Sequence, residues 1–404
     1  MTALERRASL SLAAVFASRM LGLFLVLPVF ALEAARYPGG GDPALVGLAM
    51  GIYGLTQGVL QIPYGLASDR FGRKRVIALG LLVFAAGSFV AAAAPTLGWL
   101  MAGRALQGAG AISAAVTALL ADLTRDEVRT KAMALVGASI GLTFAFSLVA
   151  APAVAQLVGL SGLFAITGML ALACIGVVAW WTPPEPSEHK SVARGSLAEV
   201  LAYPPLVRLN VGVFVLHAVQ LAMWVALPAL LVQAGLAKQS HWMVYLPAVG
   251  ASVVVMGFTL FPLERRGYLR AVFLCAIGLI GLVQVGLLAV TGTPTVPVLA
   301  CLLFLFFCGF NILEATQPSL ASRLAPAHAR GTALGIYNTL QSLGFFAGGA
   351  VGGWLTRDVG PQGLFAACAV LMLVWLVVAW PMRAPARAPT AEEVLAEEAQ
   401  AQGT

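Results

Sequence analysis

Apolar and polar positions alternate along this chain in long blocks. Apolar runs fall at about 10–35, 44–66, 76–94, 97–121, 130–157, 162–182, 206–234, 242–262, 270–291, 295–322, 331–356 and 362–382. About 20 apolar residues in a helix cross the ~30 Å hydrocarbon core of a bilayer. Each run therefore predicts one membrane-spanning helix, and the twelve are joined by short polar turns. The longest polar break, PPEPSEHKSVARGSLAEVLAYPP at 183–205, is bracketed by prolines and divides the runs six and six. The expected architecture is all-α and integral to the membrane. It has an N-terminal six-helix bundle over 1–183, a linker over 184–205, a C-terminal six-helix bundle over 206–383 and an alanine- and glutamate-rich tail over 384–404.

Composition agrees with the pattern. Of 404 residues, 60% are hydrophobic and 10% charged, and the mean hydropathy is +0.91. A soluble domain has about a quarter of its residues charged, so a bilayer must solvate this chain. The net charge of +7 fits the habit of inner loops to collect Lys and Arg and gives no sign of nucleic-acid binding. With twelve spans both termini lie on one side. Nineteen of the 24 Lys and Arg fall on that side, three (Arg36, Lys238, Arg357) on the other, and two (Arg19, Arg104) inside spans. This split predicts cytoplasmic termini. The apolar run after Glu5–Arg7 continues without a small-residue cleavage site, so it reads as a retained first span. The five cysteines all sit in apolar runs, where packing is their ordinary role.

The most charged turn is GLASDRFGRKR, Gly65 to Arg75, between spans 2 and 3. It has an echo. DRFGRKR (69–75) matches ERRGYLR (264–270) at an offset of 195, and LP (27–28) matches LP (227–228) at 200. RTKAMAL (129–135) matches RGTALGI (330–336) at 201. Three matches in order at a near-constant offset predict two parallel, pseudo-symmetric repeats.

Within the spans, polar side chains are few. Arg104 and Gln107 lie one turn apart in span 4, and Arg19 lies in span 1. Buried ions in a bilayer are costly and mark function or a structural bond to backbone carbonyls. Among Asp, Glu, His and Lys, only His217 and Glu314 lie well inside spans of the second half. Span 7 carries a stripe of Asn210, His217, Gln220 and Trp224, and span 10 carries Asn311, Glu314 and Gln317. Both stripes must face protein or water. An imidazole changes charge near neutral pH, so His217 and Glu314 are candidates to carry a proton, with a satisfied hydrogen-bonding histidine as the alternative. Tyr53, Gln57 and Gln61 on span 2, and Tyr337, Asn338 and Gln341 on span 11, line either a cavity or a polar seam between helices. No zinc-protease, hydrolase-nucleophile or phosphate-loop motif is present, which argues against an enzyme, and no metal or cofactor site is expected.

GLASDRFGRKR resembles the signature between helices 2 and 3 of the major facilitator superfamily, and RALQGAGA at 104–111 resembles the helix 4 signature of its drug:proton antiporter branch. GIYGLTQ (51–57), ALLADLTR (118–125) and LH (216–217) extend the resemblance to the YajR-type multidrug efflux proteins. Two departures stand out. That type carries a further soluble C-terminal domain, for which the sequence after Arg383 is too short. The helix 5 signature keeps Gly137 and Gly141, but no glycine pair follows Pro152. The resemblance implies a monomeric secondary transporter of the inner membrane. It would move a small amphipathic or hydrophobic compound outward, driven by the proton gradient, with proton-linked uptake or facilitated diffusion as the alternative. It assigns proton coupling to Arg104. It also implies a gate at Gly65, Asp69, Arg70, Gly72, Arg73 and Asp122, in which Asp69 meets the N-terminus of span 11 and holds the cytoplasmic side shut. A topological anchor is the other reading of that turn.

Overall fold

The computed structural model describes residues 1–185, 197–326 and 329–382, with the backbone alone at 126, 127, 129, 130, 134 and 138. Most of the expected linker and the whole tail lie outside these residues. Span 1 is formed by α1 (Ala3–Phe24) and α2 (Leu27–Ala34). Thr2 and Glu5 close a reciprocal cap on α1, with bonds of 3.2 and 2.6 Å. α3 (Pro43–Phe71) is capped by Asp42, which accepts from the Ala44 N–H at 2.8 Å, with Pro43 pre-set for the first turn. Then follow α4 (Arg73–Ala92), α5 (Leu97–Ala109) and α6 (Ser113–Asp122). α5 and α6 together make span 4, broken at residues 110–112.

α7 (Asp126–Gly176) contains spans 5 and 6. It bends through Gly159, at φ 67° and ψ −176°, a conformation that only glycine adopts readily. After a short α8 (Leu197–Ala202) come α9 (Pro204–Gln233), α10 (Trp242–Arg265), α11 (Leu269–Val290) and α12 (Val296–Leu324). α13 (Arg330–Asp358) and α14 (Gly360–Ala379) complete the set. Ten segments among the described residues are long and apolar enough to cross a membrane. One of them, 131–181, holds the two spans joined at Gly159, and α13 is a further crossing that falls short on hydropathy. Its sequence is rich in glycine because it packs against other helices more than against lipid.

The outer surface is that of a membrane protein. Phe258, Leu142 and Leu157 are among many large apolar side chains left exposed. Six tryptophans (99, 180, 181, 242, 354 and 380) are also exposed, and all sit near span ends, where amphipathic rings favour the headgroup level. Trp224 and Trp375 are buried in the core.

The repeat is visible in the backbone. Gly72 (φ 96°) and Gly267 (φ 83°), 195 positions apart, both turn the chain in the left-handed half of φ space between spans 2–3 and 8–9. For the rest of the description, the end of the molecule holding these turns is the basic end.

α3 and α13 cross between the two bundles and meet at the opposite end. A Cβ at Gly51 would lie 2.7 Å from the Phe346 carbonyl oxygen, and one at Gly349 would lie 2.5 Å from the Gly47 carbonyl oxygen. Glycine at these positions lets the two backbones touch, which maximises dispersion contact where lipid offers no hydrophobic drive. Toward the basic end the same helices part. A Cβ at Gly65 would meet only Ala114 of its own bundle, and Gly331 and Gly335 have no neighbouring atom within 4 Å of an added Cβ. Gly137 and Gly141 on span 5, and Gly250 and Gly257 on α10, face equally open space.

Candidate transport site and gates

The charged turn at the basic end folds around Arg73, the first residue of α4. Its Nε lies 3.0 Å from Asp122 Oδ2 at the end of α6, and its Nη1 donates to Ser68 Oγ at 2.8 Å. The same guanidinium pairs with Asp69, one turn earlier. Arg70 lies instead over the Phe71 ring, 5.4 Å from its centroid. Glu185, which sequence reasoning missed, accepts from the Arg73 and Lys74 backbone N–H groups at 2.9 and 2.5 Å. These N–H groups open a helix that has no side-chain cap of its own, and a carboxylate there complements the helix dipole. In the second half Glu264 pairs with Arg323 at 3.0 Å. Asp122 and Arg323 are 201 positions apart, so in both halves the end of the span 4 or span 10 helix is ion-paired to the charged turn, through Arg73 in the first half and through Glu264, the counterpart of Asp69, in the second.

The first bundle buries two guanidinium groups. Arg104 is 1% exposed. It donates to Gln107 Oε1 at 3.1 Å and the Met50 carbonyl at 3.4 Å, and it lies over the Tyr53 and Phe164 rings. Gln107 in turn donates to Ser88 at 2.8 Å. Arg19 is 2% exposed, donates to Ser113 Oγ at 2.7 Å and lies over the same Tyr53 ring, 5.9 Å from its centroid. Gln57 and Gln61 are buried on the same helix as Tyr53. No carboxylate pairs with either arginine among the described residues.

The second bundle brings His217 and Glu314 together. His217, 1% exposed, has Nδ1 at 2.8 Å from the Val213 carbonyl and Nε2 at 2.8 Å from Glu314 Oε1. Gln341 of α13 reaches both, 2.8 Å from His217 Nε2 and 3.4 Å from Glu314 Oε1. The rings of Phe310 and Phe345 stand edge-on to the imidazole. A carbonyl can only accept, so Nδ1 carries a hydrogen. Nε2 then has the Glu314 carboxyl oxygen and the Gln341 amide as its two neighbours. Tyr337 is buried one turn before Gln341, and Asn338 shares that helix. Asn311 is drawn away to Ser252 at 2.9 Å. Gln220, Asn210 and Gln317 are buried nearby in sequence, and Trp224 packs edge-on against Tyr245, 5.4 Å between centroids.

At the opposite end two ion pairs bridge the bundles. Lys238 reaches Glu33 of α2 at 2.5 Å, and Glu33 also holds Arg36 at 3.0 Å. Arg357 at the end of α13 lies 3.7 Å from Asp42, the cap of α3, and 2.7 Å from Asp358. The three basic residues that the charge count places on this side are thus all ion-paired. Sequence reasoning missed their acidic partners: Asp42 lies in the predicted outer turn, and Glu33 near the end of the predicted first span.

Two helical bundles joined by one glycine seam, with polar centres in the middle of each, define a membrane transporter. Residues 12–349 match the Major Facilitator Superfamily, and the chain belongs to that family. It is 44% identical over 391 residues to the inner membrane transport protein YajR of Escherichia coli, covering 95% of this chain and 85% of that one. It is 28% identical over 362 residues to the multidrug resistance protein MdtH of Aeromonas salmonicida, covering 85% and 86%. Its fold is shared with a bacterial homologue of the human lysosomal transporter Spinster, solved inward-facing and occupied, at a TM-score of 0.72 and 13% identity over 94% of this chain and 97% of that one. The family consists of transport proteins rather than enzymes, and the chain is integral to the membrane.

Proposed function

We propose that this transporter exports small amphipathic or hydrophobic compounds in exchange for protons, by alternating access between its two bundles. The observation that carries the reading is the 2.8 Å contact between His217 and Glu314 inside the second bundle. It brings the two ionisable groups of the second bundle together at a place where a substrate entering between the bundles would meet them. The relatives named for multidrug resistance support an efflux direction. With the basic end cytoplasmic by the positive-inside rule, the parting of α3 and α13 at that end, where Gly331 and Gly335 face open space, supports an inward-facing arrangement. The Lys238–Glu33 and Arg357–Asp42 pairs then form the external gate. The turn around Arg73 forms part of the opposing gate.

Everted vesicles with an imposed pH gradient test the reading. Export predicts that a lipophilic dye accumulates when the lumen is acid, and that Glu314→Gln removes the dependence on the gradient while dye binding persists. Movement indifferent to the gradient in the native protein, or driven by it in the opposite direction, overturns the proposal.

A further inference from the structure

We propose that Arg19 forms a carboxylate-binding subsite in the first bundle, so that the transported compounds include organic acids. The starting point is an imbalance of charge. Arg19 and Arg104 are both buried, both within 6 Å of the Tyr53 ring centroid, and neither pairs with a carboxylate among the described residues. A charge removed from water without a partner is strongly disfavoured. Aromatic faces and single hydrogen bonds recover a part of that cost.

The two arginines are not equivalent. Arg104 spends both terminal nitrogens on protein acceptors and leaves only Nε over. Arg19 spends Nη1 on Ser113 and leaves Nε and Nη2 without a protein acceptor. Nε–H and Nη2–H point the same way on a guanidinium and form the parallel fork that matches the two oxygens of a carboxylate. A single point charge such as chloride would leave half of that fork unused.

The surroundings favour an anion as well. Ser113, the partner of Nη1, is the first residue of α6, where span 4 resumes after its break. A half-helix that starts inside the membrane turns its unsatisfied N–H groups and the positive end of its dipole toward the break. Tyr53, whose ring lies under the Arg19 guanidinium, is buried and its Oη also lacks a protein partner. Fork and helix terminus thus meet at Ser113, with the Tyr53 ring beside the guanidinium for the apolar part of an amphipathic acid. The role in transport rests on the export reading above; the binding does not.

The test uses the full-length purified protein in detergent, with benzoate as the carboxylate and benzamide as its neutral counterpart. Thermal-shift titration should give saturable stabilisation by benzoate and none by benzamide. Arg19→Gln should abolish the shift. Arg19→Lys keeps the charge but loses the fork, and should weaken benzoate at least tenfold. Ser113→Ala leaves the fold intact and should weaken it less. If Arg19→Gln does not yield a monodisperse protein, the lysine and Ser113 variants carry the test. Equal response to benzoate and benzamide overturns the proposal, as does undiminished benzoate binding in Arg19→Lys. Displacement of benzoate by an equal concentration of chloride reduces the site to a point charge and also overturns it. No gradient is involved, so loss of proton-coupled transport with benzoate binding intact would sink the export reading alone. Coupled transport without benzoate binding would sink the subsite alone.

Discussion

Gly349→Ala isolates the seam between the bundles. The added Cβ would sit 2.5 Å from the Gly47 carbonyl oxygen and 2.8 and 2.9 Å from the Gly51 nitrogen and Cα. All three are backbone atoms, so no side chain can rotate out of the way. Overpacking of this kind costs about 1–3 kcal/mol. The gain of about 1 kcal/mol in helix propensity from Gly to Ala applies to α13 in either arrangement of the bundles and cancels. The clash exists only while α3 and α13 touch at the end opposite the basic turns. It therefore penalises this arrangement alone. At roughly 1.4 kcal/mol per factor of ten, the ratio of the two arrangements should move about fivefold to about 150-fold toward opening at that end. Spin labels at Leu45 and Val351, both exposed on the two helices, would report it once the five native cysteines are replaced. The expected result is a longer distance population in Gly349→Ala. Gly335→Ala, with no atom near its added Cβ, should leave the distribution unchanged. An unaltered distribution in Gly349→Ala would refute the claim that backbone contact at this seam holds the end shut.

Other outcomes follow from the remaining contacts. Lys238→Glu should favour opening at the same end, and Glu33→Lys combined with it should restore the native label distances; failure of the double variant to recover would remove the bridge from the gate. Arg73→Ala removes pairs with Asp69 and Asp122 that are partly exposed and worth about 0.2–1 kcal/mol each, so the melting temperature should fall by a few degrees and transport should drop. Asp69→Asn keeps the shape and should slow transport with normal expression; an unchanged rate would leave the turn as a topological anchor. Cysteines placed at 70–75 should react with impermeant reagents only from the cytoplasmic side, and labelling from outside would invert the assigned topology.

The sequence by itself determined the spans, their number and the repeat. Segregation of apolar runs from charged turns is imposed by the bilayer, which allows a polar backbone across it only as helix or closed barrel. That constraint is local, so it can be read along the chain. The echo of 69–75 at 264–270 reappears as two left-handed glycines, Gly72 and Gly267. Burial of Arg19, Arg104 and His217 was legible too, because lipid cannot satisfy them. What the sequence left open depends on distances between spans far apart in the chain. His217 and Glu314 are 97 positions apart and Glu33 and Lys238 are 205, and no periodicity reports such pairing. Breaks inside spans were also hidden. The apolar run 97–121 reads as one helix, yet it stops at Gly110 and restarts at Ser113 under Arg19. Which glycines of α3 and α13 touch and which face open space was decided by tertiary structure alone, since the same residue type serves both faces and only the tilt of one bundle on the other distinguishes them.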